Sequence, residues 1–153
     1  MRLLEHAGIP FEVREYPVDE NDLSAVHAAA LLGLDPDSVF KTIVLVGERQ
    51  GPFVCVIPGS CEVDLKKAAR AAGDKGTSPL PLKDLEPLTG YLRGGCSPIG
   101  MKKQLPTFID ESALLFEHIS ISAGKRGLQM VLHPQQLISF LCAPSCDLTK
   151  SSQ

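Results

Sequence analysis

The stretch Val39-Phe40-Lys41-Thr42-Ile43-Val44-Leu45-Val46 is almost entirely apolar, with one lysine and one threonine near its start. A short apolar run rich in β-branched residues predicts a buried β-strand. A second apolar run covers residues 53–57, and the connection Gly47-Glu48-Arg49-Gln50-Gly51 has the length and the glycines of a hairpin turn. The two runs therefore predict neighbouring core strands joined by a hairpin.

Shorter elements are predicted on both sides of this hairpin from period-two alternation, helix caps and turn residues. Strands are expected at 11–16, 107–109, 118–122 and 128–132. Helices are expected at 2–7, from a cap at Asn21 or Asp22 to Leu32, from Asp64 to Gly73, and from Pro134 to Leu141. Irregular segments are expected at 79–87, 90–100 and 122–127, with a loose tail at 149–153. This order predicts an α+β fold with a mixed, largely antiparallel sheet.

The composition is that of an ordinary globular protein. The chain has 153 residues, of which 44% are hydrophobic and 22% charged, so we expect one domain spanning residues 1–153 with a substantial core. This balance excludes a disordered chain, and no apolar run approaches the ~20 residues of a membrane helix. The first residues lack the apolar stretch of a signal peptide, so a cytoplasmic protein without a membrane partner is expected.

The charge is unevenly distributed along the chain. The net charge is −3, while residues 1–40 hold two basic and eight acidic residues, a balance of −6. The remainder therefore carries +3, with basic pairs at 66–67, 102–103 and 125–126. A locally positive face is compatible with RNA, which is bound through its phosphates. The alternative interpretation is a solvated surface.

The five cysteines are an odd number in a chain without an export signal, which indicates reduced thiols. Only Cys142 and Cys146 are close in sequence, and no second pair or histidine at ligand spacing completes a zinc site. We therefore expect neither a metal nor another cofactor.

Lys41 is the most informative single residue. A lysine inside a buried strand must either extend its amine to solvent along the aliphatic stem or hold the amine at a functional site. Burial of an unpaired ammonium is costly. The alternative is a lysine that prevents an edge strand from pairing with another chain. Lys41 is thus a candidate functional residue.

Two glycine-containing loops are further candidates. The loop 94–100 can bring backbone N–H groups close to a carboxylate, a phosphate or a developing oxyanion, although a plain connecting turn has the same composition. The segment 122–127 resembles a phosphate-binding loop, but Ile119 and Arg126 stand where the first glycine and the Ser or Thr are required. An ATPase is therefore excluded, whereas the two adjacent cations could contact a nucleic-acid backbone.

No pair of nucleophile and base is evident in the sequence. The four histidines are scattered, Cys96 in the glycine loop lacks a known local signature, and paired carboxylates at suitable spacing are absent. If the protein is an enzyme, we expect it to act by positioning and electrostatics.

Several of these segments, taken in order, resemble those of the YbaK family. The segments that carry the resemblance are 39–42, 64–67, 90–100, 102–107 and 122–128, with Tyr16 after the first strand. That family comprises Cys-tRNA(Pro) deacylases and is related to the editing domain of bacterial prolyl-tRNA synthetases. The resemblance spans residues 3–145. It implies a mixed, barrel-like sheet flanked by helices, and cleavage of the ester between a wrong amino acid and the 3′-terminal ribose of a tRNA.

The resemblance also implies roles for individual residues. Lys41 matches the family's essential lysine, which orients the terminal adenosine and the ester. The substrate-binding residues implied are Tyr16, Thr42, Gly94, Gly95, Cys96, Ser97, Pro98, Gly100, Ser122, Gly124 and Gln129. The tRNA-binding residues implied are Lys102, Lys103, Lys125 and Arg126. Gln129 departs from the acidic residue of the cysteine-specific members, so the identity of the removed amino acid stays open.

Three functional hypotheses follow. The first is a stand-alone trans-editing deacylase, acting on Cys-tRNA(Pro), in which the thiol of the substrate attacks its own carbonyl and leaves as a thiolactone. The second is a non-catalytic module with the same pocket that binds aminoacyl-tRNA or a synthetase. The third is a thiol-dependent hydrolase using Cys96. The partners implied are the acceptor end of a tRNA and a prolyl-tRNA synthetase.

Overall fold

The computed structural model describes residues 2–150, in which short helices and strands alternate. The helices are α1 (Arg2–His6), α2 (Ala25–Leu32), α3 (Leu65–Ala72), α4 (Leu85–Thr89) and α5 (Pro134–Leu141). The strands are β1 (Phe11–Glu15), β2 (Phe40–Gly47), β3 (Gly51–Pro58), β4 (Thr77–Pro79), β5 (Thr107–Asp110), β6 (Ile119–Lys125), β7 (Leu128–Leu132) and β8 (Ser145–Cys146). Single 3-10 turns cover Pro36–Ser38, Leu82–Asp84 and Glu111–Leu115.

The predicted hairpin forms the centre of a five-stranded sheet with the order β4-β2-β3-β5-β8. Strands β2 and β3 pair antiparallel, with Lys41 opposite Ile57 and Gly47 opposite Gly51. Strand β4 adds antiparallel to β2, whereas β5 and β8 add in parallel on the other side. The sheet is therefore mixed, and its antiparallel half contains Lys41.

A second, three-stranded sheet has the order β1-β7-β6 and is antiparallel throughout. A parallel bridge between Val39 and Ser120 joins it to the chain just before β2. The α+β class and the mixed, largely antiparallel pairing are confirmed. No closed barrel is found within residues 2–150, so the barrel-like detail stays a prediction.

Strand β3 is buried on both faces, which explains its continuous apolar sequence. Phe53, Cys55 and Ile57 pack in a cluster with Ala68 of α3 and with Leu148. Side chains from the other face of β3 join the larger cluster, which also contains Ile121, Met130 and Leu132 of the three-stranded sheet. One face of the three-stranded sheet thus packs against the core. The opposite face, which we call the polar face, carries Ser120, Ser122 and Gln129.

The beginning of α2 differs from the sequence-based expectation. Ser24 is the N-cap, and its hydroxyl accepts a hydrogen bond from the backbone N–H of His27. The predicted cap Asp22 instead accepts a hydrogen bond from the backbone N–H of Ser24, which fixes the turn before the helix. Both residues satisfy local N–H groups, so the sequence alone does not rank them.

The predicted loop 122–127 is also shorter than expected. Strand β6 continues to Lys125, with a register shift between Ser122 and Lys125, and only Arg126 and Gly127 form the turn to β7. The glycine at 124, with φ of 100°, allows this irregularity.

The expectation of a loose tail is wrong for residues 149 and 150. Thr149 forms a bridge with Val63, and the backbone N–H of Lys150 donates to the carbonyl of Glu62. Residues 151–153 lie outside the described part of the chain. Within residues 2–150, no helix has the length and hydropathy needed to cross a membrane.

Candidate active site

A pocket of about 550 Å³ opens between the start of the five-stranded sheet and the polar face of the three-stranded sheet. Its walls come from β2, from the segment before α2, from the passage between β4 and α4, and from the loop after α4. The predicted site residues that line it are Tyr16, Lys41, Thr42, Gly94, Cys96, Ser122 and Gln129. Tertiary folding thus brings together residues from five separate segments of the sequence.

Lys41 extends from β2 into this pocket and is half-buried. Its Nζ atom lies 3.4 Å from the carbonyl oxygen of Gly59, a long hydrogen bond. Within residues 2–150 no carboxylate lies within ion-pair distance of this ammonium. Burial lowers the pKa of Lys41 below its ordinary value, and the nearby Glu62 and Cys61 partly oppose this change. The ammonium is therefore available to a ligand.

Gln129 and Ser120 form a buried polar pair on the polar face of the three-stranded sheet. Ser120 is 1% exposed and Gln129 5%. The Ser120 hydroxyl donates to Oε1 of Gln129 at 2.8 Å. No buried side-chain nitrogen or oxygen of the described residues lacks a partner. The amide nitrogen of Gln129, for which residues 2–150 provide no acceptor, is therefore open to the pocket as a hydrogen-bond donor.

The glycine loop places Gly94 and Cys96 at the pocket wall. Burial raises the pKa of the Cys96 thiol to about 11, with a smaller opposing effect from a hydrogen bond to Thr89. Cys96 is consequently a neutral thiol near pH 7, unlike an activated cysteine nucleophile.

The other predicted loop residues lie behind the pocket wall. Ser97 and Pro98 are buried, and the Ser97 hydroxyl accepts a hydrogen bond from the backbone N–H of Ile99. A Cβ on Gly95 would lie 3.0 Å from the backbone nitrogen of Arg126, so the two loops touch at this point.

Two further predicted glycines pack against one tyrosine. A Cβ on Gly100 would lie 3.1 Å from the Tyr91 hydroxyl, and a Cβ on Gly124 3.0 Å from its ring. The Tyr91 hydroxyl donates to the carbonyl of Ile99. These contacts shape the glycine loop and the adjoining part of β6. The cavity itself is not lined by Gly95, Ser97, Pro98, Gly100 or Gly124.

The predicted basic residues lie outside the pocket lining. Lys102, Lys103 and Lys125 are exposed. Nε of Arg126 donates to the backbone carbonyl of Arg93 at 2.8 Å, and Arg93 itself lines the pocket. Arg126 thus connects the β6–β7 turn to the pocket rim.

Comparison with known proteins identifies the family of the chain. A sequence profile described as the aminoacyl-tRNA editing domain matches residues 19–140 of the chain. The chain belongs to the aminoacyl-tRNA editing domain family. The matched range includes Lys41, the glycine loop and Gln129.

Relatives of this editing domain agree in length as well as in sequence. An Enterococcus faecalis protein with the provisional name Cys-tRNA(Pro)/Cys-tRNA(Cys) deacylase EbsC is 48% identical over 149 residues, covering 97% of this chain and 91% of the relative. The Bacillus subtilis protein YwhH is 28% identical over 130 residues, covering 83% and 82%. A crystal structure provisionally described as a trans-editing enzyme for prolyl-tRNA synthetase superposes with a TM-score of 0.86 at 27% identity, covering 98% and 94%.

Sequence reasoning missed part of the wall of this editing domain. Leu80, Leu82 and Leu85 line the pocket, and Leu82 is 59% exposed. They lie in the proline-rich passage that was expected only to be irregular. Apolar residues beside prolines carry no chemical signal of their own. Their role as a pocket wall emerges only when β4 pairs with β2.

Among residues 2–150 no group of three His, Cys, Asp or Glu side chains is placed to hold a metal ion. The five cysteines are free, and Cys142 and Cys146 are not joined.

Proposed function

We propose that this chain is a trans-editing deacylase of the cytoplasm that cleaves the ester of a mischarged tRNA, with Cys-tRNA(Pro) as its substrate. The observation that carries the proposal is the placement of Lys41, whose ammonium lies in the pocket of an editing domain without a carboxylate partner among the described residues. The 48% identity to the E. faecalis protein supports the choice of substrate.

Lys41 is proposed to orient the ester and to stabilise the negative charge that develops on its carbonyl oxygen. A cation fixed in a partly desolvated site does this more effectively than one in water, because its field is less screened. Tyr16, Thr42 and Ser122 are proposed to line the site of the terminal adenosine and the amino acid.

The reaction proposed needs no nucleophile from the protein. The sulfur of the cysteinyl group attacks its own carbonyl carbon, and a C–S bond forms as the ester C–O bond breaks. The ribose oxygen leaves with the proton that the thiol gives up, and the amino acid departs as a thiolactone. The neutral state of Cys96 agrees with this scheme, because a thiol with a pKa of about 11 is a poor competing nucleophile.

The tRNA is proposed to approach through its acceptor end, with Lys102, Lys103, Lys125 and Arg126 facing its phosphates. Three of these side chains are exposed, and Arg126 is tied to the pocket rim through Arg93. A prolyl-tRNA synthetase is proposed as a partner, because holding the editing protein near the charged tRNA would raise its effective concentration.

The proposal is tested by deacylation of Cys-tRNA(Pro), Ala-tRNA(Pro) and Ser-tRNA(Pro) by wild type and Lys41→Ala. We expect wild type to cleave Cys-tRNA(Pro), and Lys41→Ala to lose at least about a hundredfold in rate while remaining folded. The matched control is Lys66→Ala, an exposed lysine on α3 that is not part of the pocket. Binding of Cys-tRNA(Pro) without turnover, with or without the synthetase, would favour the non-catalytic module instead.

A further inference from the structure

A second cavity of about 950 Å³ lies beside the editing pocket and takes no part in the reaction proposed for Lys41. We call it the sheet groove and define it by Glu12, Arg14, His118, Val131, His133 and Gln135, which line it together with neighbouring backbone. Its volume is near the upper end of the range for cavities that hold small organic ligands, about 300–1,000 Å³.

The sheet groove continues the editing pocket along one face of the three-stranded sheet. Side chains on a strand alternate between its two faces, so Tyr16, Arg14 and Glu12 lie on the same side of the β1 segment. Tyr16 lines the pocket, whereas Arg14 and Glu12 line the groove. The same order holds on β7, where Gln129 lines the pocket and Val131 lines the groove. Arg14 is the β1 partner of Gln129.

The two cavities share a wall. Ser120 lines the groove and donates to Oε1 of Gln129, which lines the pocket. From Gln129 to His133 the chain advances four residues, or roughly 13 Å at the rise of a β-strand. A polymeric ligand with one end in the pocket would therefore meet the groove as its next stretch of surface.

The groove offers flat rings and amides, which suit unpaired nucleotide bases. The rings of His118 and His133 have centroids 5.9 Å apart at 62° to each other. The Arg14 side chain is 35% exposed, and its guanidinium is held by Glu12, with Nε 3.0 Å from the carboxylate. Bases of single-stranded RNA stack on histidine rings and guanidinium planes, and side-chain amides such as that of Gln135 can pair with base edges.

We propose that the sheet groove holds the single-stranded nucleotides that precede the terminal adenosine of the tRNA. This inference rests on the proposed function for the occupant of the pocket. It adds a second RNA subsite, in which His118 and His133 are the stacking residues and Arg14 presents a guanidinium plane oriented by Glu12. The exposed lysines Lys102, Lys103 and Lys125 then contact the acceptor stem separately.

The test compares two substrates that carry the same amino acid. One is Cys-tRNA(Pro), and the other is cysteinyl-adenosine, which has the terminal nucleoside but nothing before it. We expect His118→Ala and His133→Ala each to raise KM for the tRNA about tenfold relative to their effect on cysteinyl-adenosine, with little change in kcat. The matched control is His6→Ala, an exposed histidine of α1 outside both cavities.

Three kinetic results would overturn the groove proposal. An equal rise in KM for both substrates would mean that the two histidines stabilise the pocket. An unchanged KM for both substrates would mean that RNA does not bind in the groove. A loss that appears only with prolyl-tRNA synthetase present would make the groove a protein-binding surface. These results all require turnover by wild type, whose absence on both substrates would count against the proposed function itself.

A binding measurement tests the groove proposal even if wild type turns over neither substrate. The imidazole NMR signals of His118 and His133 should shift on addition of the trinucleotide CCA and remain in place on addition of adenosine alone. Signals that do not respond to the trinucleotide would contradict the proposal whether or not the protein turns over its substrate.

Discussion

The Nζ atom of Lys41 and the carbonyl oxygen of Gly59 are 3.4 Å apart across the β2–β3 pair. This is the contact that the structure provides for the lysine, and it is longer than a typical N–H···O bond of about 2.9–3.0 Å. The ammonium is therefore positioned by its strand and by partial burial, and not by a strong ion pair. A substrate oxygen can compete with Gly59 for it.

The first prediction concerns the pH dependence of activity. Because burial lowers the pKa of Lys41, its ammonium loses a proton at a lower pH than that of an exposed lysine. We expect kcat/KM, corrected for spontaneous ester hydrolysis, to fall as the pH rises through this pKa. Arginine stays protonated across the accessible range, so Lys41→Arg should retain some activity and lack this alkaline fall. An unchanged alkaline fall in Lys41→Arg would assign it to another group.

The second prediction concerns the cysteines. Burial raises the pKa of Cys96 to about 11 and that of Cys55 to about 12, whereas Cys142 is exposed. Iodoacetamide at a pH of about 7.5 should therefore label Cys142 first and leave Cys55 and Cys96 unmodified in the folded protein, as read by peptide mass spectrometry.

The same reasoning applies to catalysis by Cys96. Cys96→Ser should keep at least a tenth of wild-type deacylation, since the proposed reaction uses no nucleophile from the protein. Loss of all activity in this variant, with unchanged thermal stability, would revive the thiol-dependent mechanism.

A third prediction concerns the pair that separates the pocket from the sheet groove. Ser120→Ala removes the donor to Oε1 of the buried Gln129. An unsatisfied buried acceptor costs about 1–3 kcal/mol, and we expect urea unfolding to show a loss of stability of that size. Ser139→Ala, an exposed position on α5, is the control and should change stability by less than about 0.5 kcal/mol. Equal stability of the two variants would mean that the pair is not formed in solution.

A fourth prediction concerns the exposed lysines. Binding of tRNA through phosphates makes the logarithm of affinity fall linearly with the logarithm of salt concentration. Lys102→Ala combined with Lys103→Ala should reduce this slope by about 2, or about 1 for each phosphate that is no longer neutralised. Lys66→Ala combined with Arg70→Ala removes the same charge from α3 and should leave the slope nearly unchanged. Similar slopes in the two double variants would show that residues 102 and 103 do not contact phosphates.

A fifth prediction concerns the carboxylate of Asp110, which accepts a hydrogen bond from the backbone of Leu148. Oδ1 of Asp110 accepts from the backbone N–H of Leu148 at 3.0 Å, and Oδ2 accepts from the backbone N–H of Ser112 at 3.1 Å. Asp110→Ala leaves both N–H groups without this acceptor, and we expect a loss of about 2–4 kcal/mol in urea unfolding. Its neighbour Glu111 is exposed, so Glu111→Ala should cost less than about 0.5 kcal/mol. A small effect of both changes would show that the hydrogen bonds to Asp110 contribute little to holding Leu148, whose carbonyl also accepts from the backbone N–H of Asp64.

The parts of the fold that follow from local sequence were predictable. The hairpin of β2 and β3, the helix after Asp64 and the helix after His133 each depend on apolar period, caps and turns within one segment. Strands β4 and β8 were not predicted, because two or three residues show no period. Ser145 and Cys146 become a strand only through parallel pairing with β5.

The pocket residues divide in the same way into those that the local sequence indicates and those that it does not. Lys41 was found because a lysine in an apolar strand conflicts with its surroundings, and Gly94 because a glycine-rich loop permits an unusual backbone. Leu82 shows no such conflict, so its exposed position at the pocket could not be read from the sequence. The hydrogen bond between Ser120 and Gln129 joins adjacent strands whose pairing includes the register shift before Lys125, which the sequence does not reveal.

Leu148 joins the core late in the synthesis of the chain. It is 0% exposed and packs in the cluster with Leu45 and Phe53 of the central hairpin, although about a hundred residues separate it from them along the chain. During translation the hairpin leaves the ribosome long before Leu148 is made, and proteins tend to fold from the N-terminus as they emerge. The cluster on this side of the central sheet therefore lacks Leu148 until synthesis has passed residue 148. A ribosome stalled before that codon would carry a nascent chain that already contains every pocket residue but still lacks one buried side chain of the smaller core cluster.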